Sequence, residues 1–380
     1  MKMKKKGQIE LTFNWIYVAL VGAIILLFFI GIVVRQAKVS EEQLSGEVVR
    51  IMDSILSGAS VSEKTKNSVE AGGLSDYTLY FDCIEGVGEF GLKGKPARAQ
   101  NPIDPLFAPK EIQSPFILFW SLPYHLPFKV IDFLFVTAPN VKYYLVGSDE
   151  EFVTEFLDAT AGLEKEGFNR EYVANLDDLQ AEGKIKVRVV DVDGSQIPEK
   201  GIPAGLSLFL DQDVSAVTFI RGTNWANFYQ KEGNTWKKLN PEPIEIISLD
   251  EERNAAKYAA IFTENAELYN CNIKKAFNRL EILTEVYGGE EITQGKIGGK
   301  LKKMVDFYKN RPASSECIAL LLEYKSNVKD TLRALNAGAA GCRLELSFGE
   351  SPLSCAEIIS VANELEKINE DLRLNCAQLY

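Results

Sequence analysis

An uncharged apolar run from Leu11 to Val34, behind Lys2, Lys4, Lys5 and Lys6 and ahead of Arg35 and Lys38, constrains this chain more than any other feature. At about 1.5 Å rise per residue a helix of that length crosses the roughly 30 Å hydrocarbon core of a bilayer. It exceeds the roughly 7–15 residues of a secretory h-region, and no small-residue cleavage site follows it. The pattern predicts a transmembrane helix over 8–35 behind a cytoplasmic leader over 1–7, with the lipid bilayer as partner of residues 11–34. Lysines beside a membrane stay cytoplasmic, so the C-terminal body is expected outside the cell on a single-pass anchor.

The whole chain carries a net charge of −11, and the body is more acidic still once the basic leader is set apart. Such a surface repels phosphate backbones, which excludes nucleic acid as a partner class. With 46% hydrophobic residues the body can bury a core. The six cysteines, Cys83, Cys271, Cys317, Cys342, Cys355 and Cys376, form no C-x-x-C pair, and His125 is the only histidine. Neither zinc nor another metal has a ligand set at suitable spacing, so the cysteines read as disulfides of an oxidising compartment. Their pairing is open, with one exclusion. On a single helix Cys355 and Cys376 would lie roughly 31 Å apart, far beyond bridging distance. A hairpin of the last two helices would bring Cys317 towards Cys376.

Along the body, Leu44, Val48, Met52 and Ile55 recur at helical spacing, predicting an amphipathic stem over 36–60. Ser57-Gly58 ends it, and Val61–Gly73 is polar enough for a loop. Tyr77–Cys83 alternates like a strand. Gly86-x-Gly88-x-x-Gly91 formally matches a dinucleotide fingerprint, but Leu92-Lys93-Gly94-Lys95-Pro96 cannot open the required helix, so a hairpin is expected. Phe116–Val136 is broken by Pro123, Pro127, Lys129 and Asp132, which gives buried strands in place of a second membrane span. Between 141 and 249, apolar runs at Tyr143–Val146, Ile185–Val190, Val217–Ile220 and Ile244–Ile247 alternate with helical stretches such as Glu150–Ala161. A β-hairpin turns at Lys231-Glu232-Gly233-Asn234. The expectation is an α/β ectodomain over 75–250, a mixed, mostly parallel sheet with flanking helices on both faces. A helical region over 251–380, stapled by disulfides, is expected to pack on it. Its stripes are Ile273, Phe277, Leu280 and Leu283; Ile318, Leu321, Val328, Leu332 and Leu335, ending near Gly338; and Ile358, Val361, Leu365, Ile368 and Leu372.

Chemistry in an open α/β sheet sits at the carboxyl ends of the strands. Those ends carry Ser148-Asp149-Glu150-Glu151, Asp191-Val192-Asp193-Gly194, Arg221-Gly222-Thr223 and Ser248-Leu249-Asp250-Glu251. Ser148 with Glu151, and Ser248 with Glu251, fit capping boxes. Asp191 and Asp193 lack the spacing of a calcium loop, and Gly295-Lys296-Ile297 lacks the rest of a P-loop. There is no G-x-S-x-G elbow, and a triad would depend wholly on His125. No catalytic residue and no cofactor is expected. Asp149, Asp191, Asp193 and Arg221 form the candidate pocket.

The stretch Lys4-Lys5-Lys6-Gly7-Gln8-Ile9-Glu10, running directly into the apolar helix, resembles the class III signal of archaeal type IV pilin-like proteins. The resemblance implies cleavage between Gly7 and Gln8 by a prepilin-peptidase-like enzyme, and assembly with other envelope or pilin-like subunits. The ectodomain is similar to archaeal surface proteins, through Tyr269-Asn270-Cys271-Asn272 and the terminal Asn375-Cys376-Ala377-Gln378-Leu379-Tyr380. The leading expectation is therefore a non-enzymatic surface protein, a pilin-like minor subunit or an adhesive or binding module. The alternative is a membrane-tethered α/β enzyme or small-ligand receptor using Asp149, Asp191 and Arg221.

Overall fold

The structure, a computed structural model, describes residues 46–50, 52–54, 56, 58, 66–70, 76–84, 87–183, 185–249, 254–288, 299–309, 311, 315–348 and 353–380. The leader with Gly7 and Gln8, the run over 11–34, Asp250 and Glu251 lie outside the described residues, as does Gly295-Lys296-Ile297.

Among the described residues three sheets build the body. The strands are β1 (Lys66–Glu70), β2 (Leu79–Ile84), β3 (Val87–Leu92), β4 (Arg98–Asn101), β5 (Leu106–Phe107), β6 (Glu111–Ile112), β7 (Phe116–His125), β8 (Lys129–Thr137), β9 (Val141–Val146), β10 (Asn169–Val173), β11 (Lys186–Asp191), β12 (Val214–Phe219), β13 (Trp225–Glu232), β14 (Thr235–Lys238) and β15 (Ile244–Glu245). The largest sheet runs β10-β9-β11-β12-β13-β14, with β15 also on β13. A second sheet is β1-β7-β8-β5 and a third β4-β3-β2-β6. The helices are α1 (Glu150–Ala159), α2 (Ala255–Phe262), α3 (Ala266–Gly288), α4 (Gly299–Lys309), α5 (Ser315–Ile318), α6 (Val328–Phe348) and α7 (Leu353–Asn375).

The expected fold class is corrected on two points. Among the described residues no helix is long and apolar enough to cross a membrane, so the expected transmembrane element is not part of the described fold, and the run over 11–34 lies outside it. The long helices α3, α6 and α7 bury a stripe and carry charges along the opposite side, the pattern of a helix half in water. Nor is there one mostly parallel sheet flanked by helices. In the largest sheet β10, β9, β11 and β12 are parallel, while β13, β14 and β15 join antiparallel. One face packs against helices. The other is covered by irregular chain that supplies Leu176, Leu179, Ile197 and Leu206 to a separate apolar cluster.

Smaller differences have local causes. The stem turns Val49, Met52 and Leu56 inward, so Met52 is buried as expected, while Val49 is buried more deeply than Val48. Within the expected loop, Lys66–Glu70 pairs antiparallel with β7. The Ile318–Leu335 stripe is broken where the Ala319–Glu323 π-turn closes on Tyr324, and Asn327 then caps α6 by accepting from Asp330 N–H at 2.9 Å. Gly338 lies inside α6, not at its end, and a Cβ there would meet Ile358 of α7 at an ordinary contact distance of 3.4 Å.

The helix α2 lies inside the α/β body and does not begin a separate helical region. Every residue of it except Lys257 is buried. Tyr258 packs on Trp120 of β7 at 5.3 Å and Phe156 of α1 at 5.3 Å. Phe262 packs on Phe135 of β8 at 5.1 Å and Tyr143 of β9 at 5.2 Å. Ala255, Ala256, Ala259 and Ala260 keep the helix slim enough to fit between two sheets.

Disulfides join Cys83 to Cys271, Cys317 to Cys376 and Cys342 to Cys355, with Cα separations of 6.2, 5.9 and 4.8 Å. They tie β2 to α3, α5 to the end of α7, and α6 to α7. They span 188, 59 and 13 residues of sequence, and the loop-closure relation then gives about 5, 4 and 3 kcal/mol of stabilisation. Replacing Cys83 and Cys271 together by serine is expected to lower the denaturant midpoint more than replacing Cys342 and Cys355. The opposite order in chemical unfolding would contradict this ranking.

Candidate functional site

The parallel strands place a topological switch point between β9 and β11. From β9 the chain passes through α1 to β10 on one side, then returns to β11 on the other. Diverging connections at such a point leave a crevice beyond the carboxyl ends of the strands. Here a cavity of about 390 Å³ opens there, lined by Asp149, Glu150, Asp193, Arg221, Asn224 and Lys257 among others.

Asp193 holds the two sides of the switch point together. Its Oδ2 accepts from the Ser148 N–H at 3.0 Å and from the Ser148 hydroxyl, and its Oδ1 accepts from Ser195 N–H at 3.2 Å. Burial works to raise this carboxyl, but the Ser148 and Ser195 donors outweigh it and hold it at about 2. Gly147 makes the approach possible. It sits at φ +115°, and a Cβ there would come within 2.6 Å of Asp193 Oδ1.

Asp191 does not line the crevice. Its side chain is buried and folded back into its own loop, accepting from Gly194 N–H at 3.0 Å, Gln196 N–H at 2.9 Å and Ile197 N–H at 2.8 Å. Burial pushes it up to about 6 against the pull of those donors. Asp149 lines the crevice and is the N-cap of α1, accepting from Phe152 N–H at 3.1 Å. The cap is thus one residue later than the Ser148 capping box expected, because Ser148 is engaged by Asp193. At the start of α2 Asn254 accepts from Lys257 N–H at 2.9 Å, while Glu251, the expected partner of Ser248, lies outside the described residues. Arg221 is exposed in the turn between β12 and β13 and lines the same cavity. His125, at the end of β7, is not among the lining residues. Among the described residues no group of three His, Cys, Asp or Glu side chains is placed to hold a metal ion.

The structure adds Lys257, which sequence reasoning missed. Its Nζ lies 3.3 Å from the Phe152 ring centroid and 5.0 Å from that of Phe219. Burial lowers the amine to about 8, although Asp149 and Glu155 favour its charge. Among the described residues no atom accepts a hydrogen bond from Nζ. The available signal was a single charge within Ala255-Ala256-Lys257-Tyr258-Ala259-Ala260-Ile261-Phe262, a run otherwise free of charge.

A larger, more open hollow of about 1060 Å³ lies at the amino ends of the same strands, beside Asn140, Lys186 and Asp213. Its position is opposite to where α/β sheets gather ligands.

Lys257 titrates at about 8 in the fold against 10.5 in the free side chain. Between these values the unfolded chain binds more protons, so this group's contribution to stability rises with pH across that window. Below it the buried charge costs at most on the order of 3 kcal/mol. Lys257→Met is therefore expected to raise the thermal unfolding midpoint at neutral pH, by a margin that shrinks as pH climbs from 8 towards 10.5. A lower midpoint, or a gain indifferent to pH, would contradict the assignment. Comparison with known proteins finds no matching family model, no similar curated protein and no matching solved structure.

Proposed function

We propose that this chain is a non-enzymatic binding module that works outside the cytosol and takes a small polar ligand in the switch-point crevice. The observation that carries the reading is Lys257. Its partly buried amine stands over two aromatic rings at the edge of a preformed cavity and lacks a hydrogen-bond acceptor among the described residues. A fold that keeps such a charge at a cost in stability leaves the interaction open for something that enters.

The neighbouring carboxylates support binding over catalysis. Asp191 and Asp193 spend their oxygens on loop N–H groups and the Ser148 hydroxyl, which gives both carboxylates a role in holding the crevice in shape. Three disulfides favour an oxidising compartment. Export is also what the pilin-like resemblance around Gly7 and Gln8 implies, and assembly with other surface subunits belongs to the same proposal.

Equilibrium dialysis of the full chain against a mixture of cationic, anionic and zwitterionic metabolites, read by mass spectrometry, tests the reading. Retention of a compound, chemically unchanged, is expected for the wild type and not for Asn224→Trp, which fills the cavity from an exposed turn. Equal retention by both proteins, no retention by either, or return of an altered compound would overturn it.

A further inference from the structure

We infer that the ligand of this crevice is a small zwitterion of the α-amino-acid class carrying an additional positive charge, an inference that rests on the binding role proposed above. The lining divides by sign. Asp149 comes from the N-cap of α1, Glu150 and Glu151 from its first turn and Asp193 from the loop after β11, while Arg221 comes from the β12–β13 turn and Lys257 from α2.

These charges are not equally available. Asp193 is saturated by Ser148 and Ser195, and one oxygen of Asp149 caps α1. Glu150 and Glu151 are exposed and make no side-chain hydrogen bond or ion pair with the described residues, and the same holds for Arg221. The crevice thus presents free carboxylates on one wall and two available cations, Arg221 and Lys257, on the others.

Four carboxylates against two cations disfavour a dianion such as a phosphate monoester. A simple amine would leave Lys257 without its acceptor, and a simple carboxylate would leave the glutamates without a donor. A ligand with one carboxylate and two ammonium groups meets both demands. The cavity of about 390 Å³ has the size of a small-molecule site. Binding would place the ligand carboxylate against Lys257, giving the amine the acceptor it lacks.

Calorimetric titration of the full chain with L-lysine, cadaverine, hexanoate and inorganic phosphate tests this. L-lysine is expected to bind at least about tenfold more tightly than cadaverine, its analogue without the carboxylate, or hexanoate, which lacks both amines. Lys257→Met is expected to bring L-lysine down to the affinity of cadaverine. If cadaverine, hexanoate or phosphate binds as tightly as L-lysine, the zwitterion class is overturned while the crevice keeps its binding role. If none of the four binds and the dialysis mixture also yields nothing, both fall together.

Discussion

The guanidinium of Arg188, held against the end of a buried helix, is the contact on which the arrangement of this protein depends. Arg188 sits on the central strand β11 between Tyr143 and Ser215 of the neighbouring strands. From there it donates to the carbonyls of Ala260 at 3.0 Å, Ile261 at 3.1 Å and Thr263, which close the C-terminus of α2. A helix end inside a protein leaves carbonyls that water cannot reach, and a cation there is favoured by the helix dipole as well as by hydrogen bonding. Burial lowers Arg188 to about 10, while Glu264 favours its charge, so it stays protonated at neutral pH. The Phe228 ring centroid, 5.5 Å away, gives the cation an aromatic neighbour.

That contact sets where both ends of α2 lie. Its C-terminus is fixed to the middle of the large sheet, and its flanks are gripped by Trp120 and Phe135 on one side and by Phe156 and Tyr143 on the other. Its first turn then arrives at the carboxyl ends of the parallel strands, where Asn254 and Lys257 become part of the crevice wall. One short helix thus joins the interior to the site. The chain continues straight into α3, which Cys271 bonds to Cys83 of the third sheet, so the position of α2 is braced from beyond its own end as well.

Much of this was legible where burial follows a regular period. The stripes of α3 and α7, the strands over 116–137 and the hairpin around Gly233 follow from spacing of apolar residues, because each element buries one face and wets the other. The proximity of Cys317 and Cys376 was expected from a hairpin of the last two helices, although Cys317 sits on α5, ahead of the break before α6. What escaped has no such period. Strand β10 reads Asn-Arg-Glu-Tyr-Val and forms a largely polar sheet edge, and the cover of the second face takes Leu176, Leu179, Ile197 and Leu206 from irregular chain. Asp191 and Asp193 look alike in sequence. Only the loop geometry turns one inward and sets the other across the switch point. Lys257 escaped because its role comes from α2 being carried into the α/β core, which no local pattern encodes.

The most direct measurement is the titration of Lys257 followed by NMR at its side-chain Cε, in the wild type and in an Arg188→Met variant that keeps the wild-type secondary structure. If Arg188 positions α2, and α2 positions Lys257, the amine titrates at about 8 in the wild type and moves towards the ordinary 10.5 in the variant, as the helix relaxes and water reaches it. A Lys257 that titrates at about 8 in both proteins would contradict the account, because the crevice would then be set without the buried arginine.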